Sequence, residues 1–189
     1  MKLKHIFESM ESVKSEYIPR YRYEDYVQWE GKWELIKGIP YAMTPSPVLN
    51  HQIVSGNITR RLLELLENCK DCTALPDVDW KISEDTVVQP DNLIVCGEIS
   101  GAYLTKAPIL IFEILSPSTS YKDKKIKYEL YEKEGVKYYI IVDSEAKVAE
   151  IFELRNKKYE KTVDAQTSVI RFDLEACSID FDFGVIWRK

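Results

Sequence analysis

Helical spacing is clearest in "SPVLNHQIVSGNITRRLLELLENC", where Val54, Ile58, Leu62, Leu65, Leu66 and Cys69 recur on one face. That stripe predicts a long amphipathic helix with a core-facing side. A second helix is predicted over "SPSTSYKDKKIKYELYEKEGV". Ser-Pro and Ser-Thr-Ser supply turn and cap residues ahead of it, and Gly135 stands where its C-terminus should lie. "RYEDYVQWEGK" reads as a shorter helix stopped at Gly31.

Between the helices the pattern changes to that of strands. "KWELIKGIPYAMT" suggests a hairpin, with Trp33-Glu34-Leu35-Ile36 and Ile39-Pro40-Tyr41-Ala42-Met43 flanking Lys37-Gly38. "CTALPDVDWKIS" and "VVQPDNLIVC" each read as one strand. "APILIFEILS" is almost continuously apolar, which implies burial on both faces of a sheet. "KYYIIVD", "VAEIFEL", "KYEKTV" and "FGVIW" read as further strands. This order predicts an α/β fold: a mixed β-sheet core flanked by helices, with an N-terminal helix and hairpin. The helix between "LIFEIL" and "YYIIV" should be a right-handed crossover between parallel strands. No repeat or linker interrupts the pattern, so residues 1–189 are expected to form a single domain, with 1–20 a loosely packed lead-in.

Composition narrows the function classes. No apolar run approaches the roughly 20 residues of a membrane helix, and the polar N-terminus lacks the apolar centre of a signal peptide. A cytoplasmic protein without membrane contact is expected. The net charge of -5 argues against a general nucleic-acid coat protein. It leaves room for an enzyme whose metal-binding carboxylates carry the negative charge. Cys69 and Cys72 form a lone CxxC, and the other potential zinc ligands, Cys96, Cys177, His5 and His51, are scattered along the chain. Reduced structural cysteines are therefore expected rather than a zinc site.

One residue breaks the apolar pattern in a way that needs an explanation. Glu113 sits inside Ile109-Leu110-Ile111-Phe112 and Ile114-Leu115, and a glutamate is almost never fully buried without a partner. Asp91, after Pro90, opens the preceding apolar stretch. If the two strands are neighbours, their carboxylates could converge. Two such acids cannot both stay ionised unless a cation lies between them. Mg²⁺ or Mn²⁺, held by one or two carboxylates plus water and a phosphate, would resolve the conflict. On the following helix Asp123, Lys127 and Tyr131 are spaced by four and share a stripe. Lys127 at the border of that face could reach back to the acids, orient a water and offset developing charge.

The run "PDNLIV…PILIFEILSPSTSYKDKKIKYELYEKEGVKYYIIVD", with "WELIKGIPYAMTPSPVLNHQIVSGNITRRL" upstream, resembles the Uma-two family of restriction-endonuclease-like proteins in the PD-(D/E)XK nuclease superfamily. The resemblance covers roughly residues 20–145. It implies a restriction-endonuclease-like fold and a metal-dependent endonuclease acting on DNA, leaving a 5′-phosphate and a 3′-hydroxyl. By the same resemblance Asp91 is the PD acid, Glu113 the second acid, and the backbone carbonyl of Ile114 a further metal ligand. Glu34 matches an N-terminal acid that could complete the metal shell, and His51 matches a position of less defined role. The superfamily motif places a lysine two residues after the second acid. Here that position is Leu115, and the resemblance moves the lysine to Lys127.

Each assignment has a structural alternative. Glu113 could be a buried acid paired with a lysine, Asp91 a turn residue after proline, Glu34 an exposed hairpin residue, and His51 a hydrogen-bonded helix residue. Tyr131 could pack on the sheet, and most lysines of "YKDKKIKYELYEKE" must form a solvated face. Leu115 and the acidic balance keep open a non-catalytic nucleic-acid- or protein-binding module on the same fold, and RNA is an alternative substrate. A small nuclease cutting both strands of a duplex is expected to act as a homodimer.

Overall fold

The computed structural model describes residues 19–43, 49–116 and 120–188. The expected lead-in up to residue 18, His5 within it, and the turn and cap residues Pro117, Ser118 and Thr119 lie outside the described residues.

A central six-stranded sheet is built from β3 (Cys72–Pro76), β6 (Asn92–Cys96), β7 (Leu110–Ile114), β8 (Tyr138–Asp143), β9 (Val148–Arg155) and β10 (Lys158–Ala165). Its strand order is β10-β9-β8-β7-β6-β3. A four-stranded sheet holds β1 (Trp33–Ile36), β2 (Ile39–Ala42), β4 (Trp80–Ser83) and β5 (Thr86–Val88), in the order β2-β1-β5-β4. The hairpin of β11 (Val169–Asp173) and β12 (Ser178–Asp182) follows. The helices are α1 (Tyr23–Tyr26), α2 (Leu49–Leu66) and α3 (Tyr128–Glu134), the last entered through a π-helical turn over Lys122–Lys127. The fold is therefore mixed α/β, and β7 and β8 pair in parallel across the α3 connection.

Side-chain alternation divides the core into two layers. Leu110, Phe112 and Ile114 of β7 face α2 and the C-terminal hairpin, where Val54, Ile58, Leu62, Phe172, Phe181 and Phe183 are buried with them. Phe112 meets Phe181 at a ring separation of 5.4 Å. The opposite face carries Ile111 with Leu93, Val95, Tyr139 and Ile141, covered by Leu130 and Tyr131 of α3 and by Trp80 of the smaller sheet. Glu113 alternates with Ile111 and so points into this second layer.

Four local expectations are corrected. "CTALPDVDWKIS" is two strands in different sheets, divided after Pro76 by Asp77, whose φ is +46°. "VVQPDNLIVC" divides likewise at Gln89-Pro90-Asp91, where proline has no N–H to continue a ladder. The two crossings lie side by side, the Asp77 N–H bonding the Asp91 carbonyl at 3.3 Å. "FGVIW" is not a strand. Phe183–Val185 form a 3-10 turn, with Asp182 Oδ1 accepting from the Gly184 N–H at 2.8 Å. The helix read in "RYEDYVQWEGK" is one turn, Tyr23–Tyr26.

The cysteines are also not reduced. Cys69 is bonded to Cys177, and Cys72 to Cys96. Cys72 and Cys96 are direct partners across β3 and β6, a proximity that sequence spacing does not reveal. No helix among the described residues is long and apolar enough to cross a membrane.

Candidate active site

The antiparallel register of β6 and β7 pairs Asn92 with Phe112 and Leu93 with Ile111. Asp91 immediately precedes β6 and Glu113 follows the paired Phe112, so the two acids come together at the same end of these strands. Asp91 Oδ2 accepts the Ile114 N–H at 2.7 Å and lies 3.2 Å from His51 Nε2. Glu113 Oε1 accepts from Lys127 Nζ and from the Tyr131 hydroxyl, each at 2.8 Å. The smaller sheet brings in Glu34 on β1. Its Oε1 lies 2.7 Å from Lys127 Nζ and accepts the Gln89 N–H at 2.9 Å, while its Oε2 pairs with Lys122. Asp123 Oδ1 is 3.8 Å from Lys127 Nζ. Glu34, Glu113, Asp123 and Lys127 are all at most 2% exposed, so their charges act on one another with little screening by water.

The π-helical turn explains why two lysines reach one glutamate. Its i→i+5 bonding widens the turn, and Lys122 and Lys127 stand at the two ends of that segment. Both amines meet Glu34. Lys124 and Lys125 point elsewhere, to Glu150 at 3.2 Å and Glu129 at 2.9 Å. Tyr131 combines two roles: its ring stacks on Trp80 at a centroid separation of 5.8 Å, and its hydroxyl fixes Glu113.

Burial and the company of like charges set the proton affinities. Burial pushes the Glu113 carboxyl well above the usual range; Lys127 opposes this, but Asp123, Asp91 and Glu34 add to it. Burial alone would also raise Glu34, yet Lys127 and Lys122 outweigh it and hold that carboxyl low. Lys127 is held well above its ordinary value: burial disfavours its charge, and Glu113, Glu34 and Asp123 overcome that. For His51, burial is likewise outweighed by the hydrogen bond and charge of Asp91, with Asp77 and Asp123 assisting, and the imidazole rises.

The structure thus brings together Glu34, His51, Asp91, Glu113, Asp123, Lys127 and Tyr131. Ile114 stands at the end of β7 with its N–H on Asp91. Leu115 is half-buried against the second core layer, and its N–H bonds the Val142 carbonyl at 2.8 Å. Sequence reasoning missed Lys122, because α-helical spacing does not align it with Lys127. It also missed Gln89, whose N–H holds Glu34, and Asn92. The Asn92 amide bonds Ser55 Oγ at 3.1 Å and Thr59 Oγ1 at 2.8 Å, seating β6 on α2 beside the site. An amide directly after the candidate acid was the available signal for Asn92.

The sequence model of the Uma2 family, described as "Putative restriction endonuclease", matches residues 23–176. An uncharacterized protein of Synechocystis sp. is 26% identical over 180 residues, covering 90% of this chain and 93% of its own length. A crystal structure described as "a putative nuclease belonging to DUF820" from Anabaena variabilis superposes with a TM-score of 0.72 at 16% identity, covering 88% of this chain and 97% of that one.

Proposed function

Because the chain belongs to the Uma2 family of restriction-endonuclease-like proteins, we propose that it is a metal-dependent endonuclease hydrolysing DNA phosphodiester bonds. One observation carries this reading. Among the described residues, three buried carboxylates, Glu34, Glu113 and Asp123, surround the buried Lys127 ammonium, Lys122 adds a second ammonium on Glu34, and a fourth buried carboxylate, Asp91, stands beside His51. Burial and its acidic neighbours push the Glu113 carboxyl up, and a hard divalent ion held by these oxygen donors would let it stay ionised beside Asp91.

Asp91 and Glu113 would hold Mg²⁺ or Mn²⁺, with the Ile114 carbonyl and Glu34 as supporting ligands. Such an ion lowers the pKa of a bound water and polarises a phosphoryl oxygen. Lys127 fixes Glu113 and Glu34 and supplies positive charge near the scissile phosphate, replacing the lysine absent at Leu115. Tyr131 orients Glu113, and His51 orients Asp91. A homodimer would let the chain reach both strands of a duplex.

Plasmid DNA incubated with the purified chain and Mg²⁺ or Mn²⁺ tests the reading. Nicked or linear products bearing 5′-phosphates should appear, and a chelator or Asp91→Asn should remove them. If no DNA is cut with either metal, the chain is a binding module on this fold; if Asp91→Asn cuts as well as the wild type, Asp91 holds no ion that the cleavage needs.

A further inference from the structure

The four cysteines come from three separate parts of the chain and meet in one place. Cys69 and Cys72 flank the turn that follows α2, in which the Cys69 N–H bonds the Leu66 carbonyl at 2.8 Å and the Cys72 N–H bonds the Cys69 carbonyl at 3.1 Å. Cys96 lies directly across from Cys72 on β6. Cys177 arrives from the connection between β11 and β12. The sulfurs of Cys69, Cys72 and Cys177 all lie within 4.8 Å of one another, and Cys96 is bonded to Cys72. Two independent crosslinks would not need to share a site. A C-x-x-C turn with two further thiols converging on it is the donor set of a tetrahedral zinc centre. Cys69 and Cys72 are each 6% exposed, and Cys96 and Cys177 are partly exposed, so the ion would sit at the edge of the core, open to exchange.

We propose that, when both disulfides are reduced, Cys69, Cys72, Cys96 and Cys177 bind one Zn²⁺ as a tetrathiolate site. A phosphine performs the reduction: each S–S bond breaks, the phosphine is oxidised to its oxide with oxygen from water, and two thiols form. Binding of the ion then releases the thiol protons. The ion takes over the task of the disulfides, holding the C-terminal hairpin to the end of α2 and to the sheet edge.

The test is a Co²⁺ titration of the full chain, reduced with a phosphine and freed of it without air. Tetrahedral thiolate cobalt gives intense visible bands and sulfur-to-cobalt charge transfer, which an oxygen-ligated ion at the acidic site does not. One equivalent of cobalt with this spectrum, displaced by Zn²⁺, is the expected result. Asp91→Asn should keep it, and Cys96→Ser or Cys177→Ser should weaken binding at least tenfold. Circular dichroism follows folding in parallel. If the reduced wild type shows no thiolate–cobalt spectrum, or if the cysteine variants show it undiminished, the proposal is wrong.

Discussion

Lys127 Nζ lies 2.8 Å from Glu113 Oε1, joining the π-helical turn to β7 through a buried ion pair. The same amine reaches Glu34 on the other sheet. Replacing it by Lys127→Met leaves two buried carboxylates without their shared cation. Removing one partner of a buried pair costs about 3–5 kcal/mol. Urea unfolding should show a loss of that order, and DNA cleavage should vanish.

Lys122 and Lys127 share Glu34, so their contributions should not add. Lys122→Met is expected to cost less than Lys127→Met, because Glu34 keeps Lys127 and the Gln89 N–H. A double-mutant cycle should give a coupling of about 0.5–3 kcal/mol. Strict additivity in unfolding free energies would show that the two lysines act separately.

Asn92 holds β6 against α2 through Ser55 and Thr59. Asn92→Ala removes both hydrogen bonds, while the Thr59 hydroxyl keeps its bond to the Ser55 carbonyl, so a cost of about 0.5–1.5 kcal/mol per bond is expected. Thermal or urea unfolding measures this directly.

Not all of these residues stand out in the sequence. The stripe of α2 and the apolar run around Glu113 were legible because periodicity and a buried acid are local signals. The helical spacing of Asp123, Lys127 and Tyr131 was legible for the same reason. Lys122 was not, since a π-helical turn changes which residues align. The division of the strands is marked in the sequence, where Pro76-Asp77 and Gln89-Pro90-Asp91 interrupt the apolar pattern with turn residues, but no local pattern tells that the two halves join different sheets. The cysteine pairings depend on contacts between residues as distant as Cys69 and Cys177, which no local pattern encodes.

Asp79, which Gln89 links to Glu34, offers a pH test. Burial raises its carboxyl above the ordinary range; bonds from Tyr26 and Gln89 oppose this, and the charge of Glu34 adds to it. A carboxyl raised in the folded state stabilises fully below its unfolded pKa, and that contribution is lost as pH rises through the folded value. Asp79→Asn should therefore raise the melting temperature near neutral pH, with the gain shrinking toward about pH 4. A gain that grows on acidification is the opposite result and would sink this reading of Asp79.

If Asp91 and Glu113 share a divalent cation, removing either carboxylate must abolish its binding. Calorimetric titration of Mn²⁺ into the wild type, Asp91→Asn and Glu113→Gln puts this to the test. Saturable binding to the wild type, lost in both variants, is the expected outcome. Equal binding by all three proteins, or none by the wild type, would rule out a shared ion.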